Sequence, residues 1–140
     1  MNDLEIAERH YQTVTILDLV GKIRIGVGNI KLRAALRQML GEGKHQILLN
    51  LADVSHIDSS GLGELVAGYV AVKDIGGKLK LLNLNQRVRE LMVMTKLLTV
   101  FEVYEDESEA VKSFQIPVED TESKPSKISA VKANKATINL

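Results

Sequence analysis

The sequence predicts an α/β fold: a mixed, mostly parallel sheet of four to five strands with about four helices, its N-terminal strands antiparallel. Two patterns carry that expectation. Short apolar runs of strand composition alternate with segments whose apolar residues recur at helical spacing. Glycines and cap-forming residues stand where the helices should start or stop. In chain order the elements read β-β-α-β-α-β-α-β-α, and alternation of this kind implies parallel neighbours joined by helical crossovers.

Tyr11 to Leu19 is rich in Val, Thr, Ile and Leu, and Gly21 suggests a bend before a short extended piece at Lys22-Ile23-Arg24, together an N-terminal strand pair. After Gly26 and Gly28, Asn29 is placed to cap a helix in which Ile30, Leu32, Ala35, Leu36, Met39 and Leu40 recur until Gly41 and Gly43. Gln46 to Leu51 is short and almost wholly apolar, as expected for a central strand covered on both faces. A polar loop, Asp53 to Gly61, leads into a second helix with apolar positions Leu62, Leu65, Val66, Tyr69 and Val72, stopped by Gly76-Gly77. Lys78 to Asn83 reads as the next strand. Asn85 caps a third helix from about Gln86 to Lys96 that buries Val88, Leu91 and Met92, with Thr95 at the margin of that stripe. A short strand at Val100 to Val103 and a helix from about Glu107 to Phe114 complete the pattern.

All of these elements fit one domain over residues 1–116 with a single hydrophobic core. Beyond Pro117, Ser, Thr, Lys and Pro dominate and the apolar residues stand isolated, a composition too poor in buriable surface to offset its ordering entropy. Residues 117–140 are therefore expected to be a disordered tail.

Composition narrows the function classes. Eighteen Lys and Arg balance eighteen Asp and Glu, leaving no net field to draw in nucleic acid or an anionic membrane. There is no cysteine, and the three scattered histidines lack ligand spacing, so neither a metal nor a cofactor is expected. The acid-bearing start Met1-Asn2-Asp3-Leu4-Glu5 lacks the features of a signal peptide. The longest uncharged apolar stretch, Leu65 to Val72, falls far short of the ~20 residues of a membrane span. A soluble, cytoplasmic protein is the expectation. Enzymatic activity is not expected, since there is no Walker-type run and no nucleophile elbow. His56, two residues before Asp58, invites a Ser-His-Asp arrangement, but groups this close in sequence can hardly take up the separated geometry of a triad.

The informative stretch is Asn50 to Leu65. It places two hydroxyls, Ser59 and Ser60, at the mouth of a helix whose first N–H groups have no intrahelical partner. Serine there is a natural N-cap, and capping alone accounts for most such residues. Two features go beyond capping. The serine is doubled, so one hydroxyl can cap while the other stays exposed. Gly61 and Gly63 remove side chains from the start of the helix at a cost of ~1 kcal/mol each relative to alanine, as if something approaches closely. A phosphate here would meet free N–H groups and the positive end of the helix dipole.

The run Ile57-Asp58-Ser59-Ser60-Gly61-Leu62-Gly63, preceded by Leu48-Leu49-Asn50-Leu51 and followed by Gly76-Gly77-Lys78-Leu79-Lys80-Leu81, resembles the STAS domain of bacterial anti-sigma factor antagonists. The resemblance extends over about residues 10 to 114 and includes Leu19-Val20-Gly21, Arg87-Val88-Arg89-Glu90-Leu91 and Thr99-Val100-Phe101-Glu102-Val103-Tyr104. It implies a single STAS-type domain that binds an anti-sigma factor, itself a serine protein kinase, while unphosphorylated. Phosphorylation of the hydroxyl residue directly after the motif's aspartate reverses this, and a serine phosphatase resets it. Carried over, that residue is Ser59, and the expected partner-binding set is Asp58, Ser59, Ser60, Gly61, Gly63 and Arg24. Neither direct nucleic-acid contact nor a membrane is implied, and whether Ser60 can substitute for Ser59 stays open.

The chain departs from the family at Gly21-Lys22-Ile23-Arg24, where a Gly-Glu-Leu-Asp type of run is common: both acids are replaced by bases. If that loop lies beside the helix mouth, Arg24 is available to pair with phosphoserine or to select an unusual partner; otherwise it is a solvated arginine. A competing reading is a STAS scaffold or binding subunit of a signalling or transport assembly whose serine is never modified. Met92 fits the buried stripe of the third helix, whereas Met94 is free for a surface role.

Overall fold

The computed structural model describes residues 3–115. The tail expected over 117–140 lies outside the described residues. Five strands, β1 (Leu4–Tyr11), β2 (Val14–Ile23), β3 (Gln46–Ile57), β4 (Lys78–Leu82) and β5 (Val103–Tyr104), form one sheet in sequence order. The helices are α1 (Val27–Gly41), α2 (Ser59–Asp74), α3 (Gln86–Met94) and α4 (Glu107–Ser113), with a 3-10 turn at Leu97–Thr99. β1 and β2 are antiparallel, and every later pairing is parallel.

This strand order fixes where the helices go. β2, β3, β4 and β5 are added one after another on the same side, and parallel crossovers are right-handed, so α1, α2 and α3 all fall on one face. Leu32, Leu36 and Met39 of α1, Leu62, Leu65 and Val72 of α2, and Val88 and Met92 of α3 pack there against Leu17, Leu19, Ile47, Leu49, Leu51 and Leu81. The opposite face is covered by α4, whose Ala110 and Val111, with Phe114 behind them, meet Val14, Ile16, Leu48 and Leu82. β3 is central and both its faces are covered, hence its apolar run, broken only at Asn50: Ile47, Leu48, Leu49 and Leu51 are fully buried.

Five expectations are corrected. The N-terminal strand pair is Leu4–Tyr11 with Val14–Ile23; the bend read at Gly21 is an irregularity inside a single strand, with register shifts between Asp18 and Val20 and between Gly21 and Lys22. α1 starts at Val27 after Gly26, so Asn29 lies within its first turn and not at its cap, and Ile30 points to solvent. The polar stretch from Asp53 is not loop until Ile57 has passed: it continues β3 along β2, pairing Val20 with Asp53 and Ile23 with Ile57. The last strand begins at Val103, after the 3-10 turn. Asn85 does cap α3, its side chain accepting from Val88 N–H at 2.8 Å, but the helix ends at Met94 and Thr95 is exposed.

Polar groups secure the α4 face. Arg9 on β1 donates to both oxygens of Asp18 on β2 (2.6 and 2.9 Å) and both oxygens of Glu107 at the start of α4 (2.8 and 3.0 Å). Arg9, and secondarily Asn50, hold the Asp18 carboxyl below its usual range. Deeper under α4, Lys80 is 3% exposed. Its Nζ donates to Ser113 Oγ at 2.8 Å, lies 3.2 Å from Glu102 Oε1, and stands 4.7 Å from the centre of the Phe114 ring.

Desolvation pushes the Lys80 ammonium below its ordinary value, with Glu102 opposing. Neither partner would be stranded by its loss, because Ser113 also donates to the Ala110 carbonyl and the Glu102 side chain is 59% exposed. Lys80→Met is therefore expected to leave stability at neutral pH unchanged or raise it by up to about 2 kcal/mol. A base with a depressed folded pKa binds more protons in the unfolded state, so wild-type stability should rise with pH from that folded pKa toward 10.5. Urea unfolding of both proteins at neutral and mildly alkaline pH checks this: the variant should lack the rise that Lys80 contributes.

Candidate functional site

β2 and β3 end side by side, with Ile23 opposite Ile57, and each turns at once toward a helix. The carboxyl ends of neighbouring parallel strands thus present two helix entrances together, the place where open α/β sheets commonly bind their partners. β4 pairs with β3 only as far as Asn50, so these strand ends run on beyond it. The edge of β3 that β4 leaves open is met by Asn85, whose Nδ2 donates to the Val54 carbonyl at 2.6 Å.

Asp58 joins the two entrances. Its Oδ1 accepts from Gly61 N–H at 2.9 Å, capping α2, and its Oδ2 accepts from Ile25 N–H at 3.0 Å in the loop before α1. Its own N–H donates to the Ile23 carbonyl at 3.3 Å. The Ile25 N–H first, and then that of Gly61, hold the Asp58 carboxyl below its usual range. The cap is therefore the aspartate and neither serine, which corrects the sequence reading. A charged carboxylate has two separate acceptor oxygens and so reaches both amides, whereas a serine has a single oxygen to place.

With capping done by Asp58, both serine hydroxyls are released from that task. Ser59, the first residue of α2, is exposed, and Ser60 is half-buried. Among the described residues neither hydroxyl has a hydrogen-bond partner. The two glycines separate in role. A Cβ at Gly61 would collide with the Ile23 carbonyl oxygen, so what approaches closely is the chain's own backbone. A Cβ at Gly63 would enter open space, and Gly63 is exposed.

The loop carrying Arg24 does lie beside the helix mouth, through Ile25. Arg24 is exposed and points to Asp3, with Nε and Nη2 at 3.1 and 3.2 Å from its carboxylate oxygens. Asp3 foremost, and more weakly Asp58, hold its charge in place. His56 contacts Ser55 (Nδ1 to Oγ, 3.0 Å), while both oxygens of Asp58 are engaged by amides, so His56, Asp58 and Ser59 form no relay. Met92 is buried and Met94 exposed, as their spacing suggested.

Sequence reasoning missed two features. Asp3 is one, since nothing local links it to residue 24. The other is an apolar rim beside the mouth: Ile25, Val27 and Ile30 are 74%, 54% and 60% exposed. Its signal was available, because Ile30 lies off the stripe formed by Leu32, Leu36 and Met39.

Replacing Gly61 with alanine should destabilise the domain by about 1–3 kcal/mol through the backbone collision, whereas Gly63→Ala should stabilise it by about 0.5–1 kcal/mol through helix propensity. Denaturant midpoints of the two variants decide it. Because the folded-state pKa of Asp58 is depressed, its contribution is present above the ordinary carboxylate value of 3.8 and lost as pH falls through the folded pKa. Asp58→Asn, which keeps an acceptor for Gly61, should show a smaller loss of thermal midpoint on acidification than the wild type.

Comparison with known proteins bears on this arrangement. The family model described as the STAS domain matches residues 5–110. The anti-sigma-B factor antagonist of Bacillus subtilis is 39% identical over 64 residues, which are 46% of this chain and 59% of that protein. The anti-sigma F factor antagonist of Paenibacillus polymyxa is 24% identical over 115 residues, 81% of this chain and 97% of that one. The crystal structure of an anti-sigma factor antagonist from Mycobacterium paratuberculosis superposes with a TM-score of 0.73 at 18% identity, covering 81% of this chain and 95% of its own, which is a likeness of fold. No helix among the described residues is long and apolar enough to cross a membrane. With the matched residues spanning every strand and reaching into the last helix, this chain belongs to the STAS domain family.

Proposed function

We propose that this protein is an anti-sigma factor antagonist that works by partner switching: unphosphorylated, it binds an anti-sigma factor that is also a serine protein kinase, and phosphorylation of Ser59 releases it. The observation that carries the reading is the exposed hydroxyl of Ser59 at the first position of α2, beside a cap already supplied by Asp58. Relatives named as antagonists of anti-sigma factors, one of them matched over most of the chain, supply the partner class.

The chemistry is one of charge. A kinase reaches Ser59 without unfolding the domain, and α2 keeps its cap after modification because Ser59 does not provide it. Phosphoserine adds about −1.5 to −2 charges and three acceptor oxygens at this point. Buried against a docked partner next to the charge of Asp58, that costs several kcal/mol. A loss of ~4 kcal/mol corresponds to a roughly thousandfold weaker complex. Ile25, Val27 and Ile30 offer the apolar contact that the unmodified interface would bury, and Gly63 leaves room for close approach. A serine phosphatase returns the protein to its binding form.

The cognate kinase and ATP should modify wild-type protein at Ser59, as read by mass spectrometry of proteolytic fragments. In calorimetric titration Ser59→Ala should bind the kinase as tightly as wild type does, and Ser59→Asp at least tenfold more weakly. Equal affinity of all three forms, or modification away from both Ser59 and Ser60, overturns the reading.

A further inference from the structure

Resting on the reading of Ser59 as the modified residue, we propose that Arg24 is a phosphate-binding residue: once Ser59 is phosphorylated, its guanidinium leaves Asp3 and pairs with the phosphoserine.

The starting point is what the helix entrance no longer offers. An anion at the start of a helix is ordinarily held by free N–H groups, but here Asp58 already takes the Gly61 N–H, and its carboxylate stands as a like charge next to residue 59. A cation from a side chain would therefore add to what water and the remaining amides can offer a phosphate. Arg24 sits between the two backbone contacts that pin its loop to Asp58: the Asp58 N–H on the Ile23 carbonyl, and the Ile25 N–H on Asp58 Oδ2. Its backbone thus lies alongside the residue that precedes Ser59, and its long stem can redirect the guanidinium by rotamer change alone.

The present partner is a weak competitor. The Arg24 and Asp3 side chains are 46% and 30% exposed, in an ion pair of the solvated kind that contributes little. Asp3 offers one negative charge; phosphoserine offers nearly two and three acceptor oxygens in a geometry that the guanidinium fork meets bidentately. The surroundings favour the exchange as well. From Leu19 to Gly41 the chain carries Lys22, Arg24, Lys31, Arg33 and Arg37 and no acidic residue. Of these, Arg33 is held by Glu64 across the α1 and α2 pair. Next to Asp58 the charged side chains of the loop itself are thus all basic, with the single charge of Asp3 set against Arg24. Arg24 would hold the modified side chain against the domain and slow its removal by a phosphatase.

The test uses full-length protein with phosphoserine installed at residue 59 by genetic encoding, so that no kinase is involved. Phosphorus NMR titration should give a second phosphate pKa lower in the wild type than in Arg24→Gln by about half a unit or more, with Arg24→Lys in between. The Arg24 Nε–H resonance should shift on phosphorylation, and Asp3→Asn should leave that shift in place. Equal phosphate pKa values in wild type and Arg24→Gln, together with an unmoved Arg24 resonance, overturn the proposal. Matching thermal midpoints of the unphosphorylated forms establish that Arg24→Gln is folded. Failure here leaves the partner-switching reading standing, whereas a kinase that ignores Ser59 overturns that reading whatever the NMR result.

Discussion

The site depends on the Asp58 carboxylate. Each of its oxygens accepts an N–H from a different helix entrance, so it cannot turn toward solvent without unseating both the first turn of α2 and the loop before α1. That double engagement positions Ser59, the next residue along, and frees its hydroxyl. It also makes the charge at residue 58 a fixture of the surface. A switch built beside such a fixed group has no need of a conformational change, because adding charge to a rigid frame already alters what can dock there.

The sheet explains why the frame is rigid. Extra length in β2 and β3 carries the two strand ends past β4, and the irregularities at Asp18, Val20 and Gly21 adjust their course. Close packing then sets the helix entrances. Neither Gly61, against the Ile23 carbonyl, nor Gly28, against the Lys22 carbonyl, has space for a Cβ, so both helices begin directly over the end of β2. Beyond β4, Asn85 serves β3 and α3 together, taking the Val54 carbonyl with its amide and the Val88 N–H with its oxygen. One backbone carbonyl that the shorter neighbour leaves open is thereby satisfied within the fold.

The element order and the buried faces of α2 and α3 were legible because apolar spacing reports burial directly. β1 was not. Of its eight residues only Leu4 is buried, the rest of Leu-Glu-Ile-Ala-Glu-Arg-His-Tyr being mostly exposed at the sheet edge, so it lacks the apolar run by which a covered strand is recognised. The end of β3 was hidden for a related reason: past Leu51 it pairs on one side only, and Ala52, Asp53, Ser55 and His56 face solvent. At the site, the motif placed Asp58, Ser59 and Ser60 at the start of a helix but did not show which of them caps it. Serine and aspartate are both good caps, and only the nearness of Ile25, more than thirty residues away in sequence, makes the two-oxygen group the better choice.

If the protein works by the partner switching proposed above, the division of labour between Asp58 and Ser59 bears on how a partner would tell the two states apart. Under the proposed switching, Asp58 would bring a negative charge to the interface in both, yet its oxygens already accept amide hydrogens, so a docked surface need not supply donors for it. Phosphoserine at residue 59 is different, since three new oxygens require donors when water is excluded. The loop can offer the guanidinium of Arg24, and Asp58 takes up the nearest capping amide. Discrimination then comes from unmet acceptors as much as from repulsion. A partner can accept the fixed carboxylate as part of the surface it recognises and still be expelled by the added phosphate beside it.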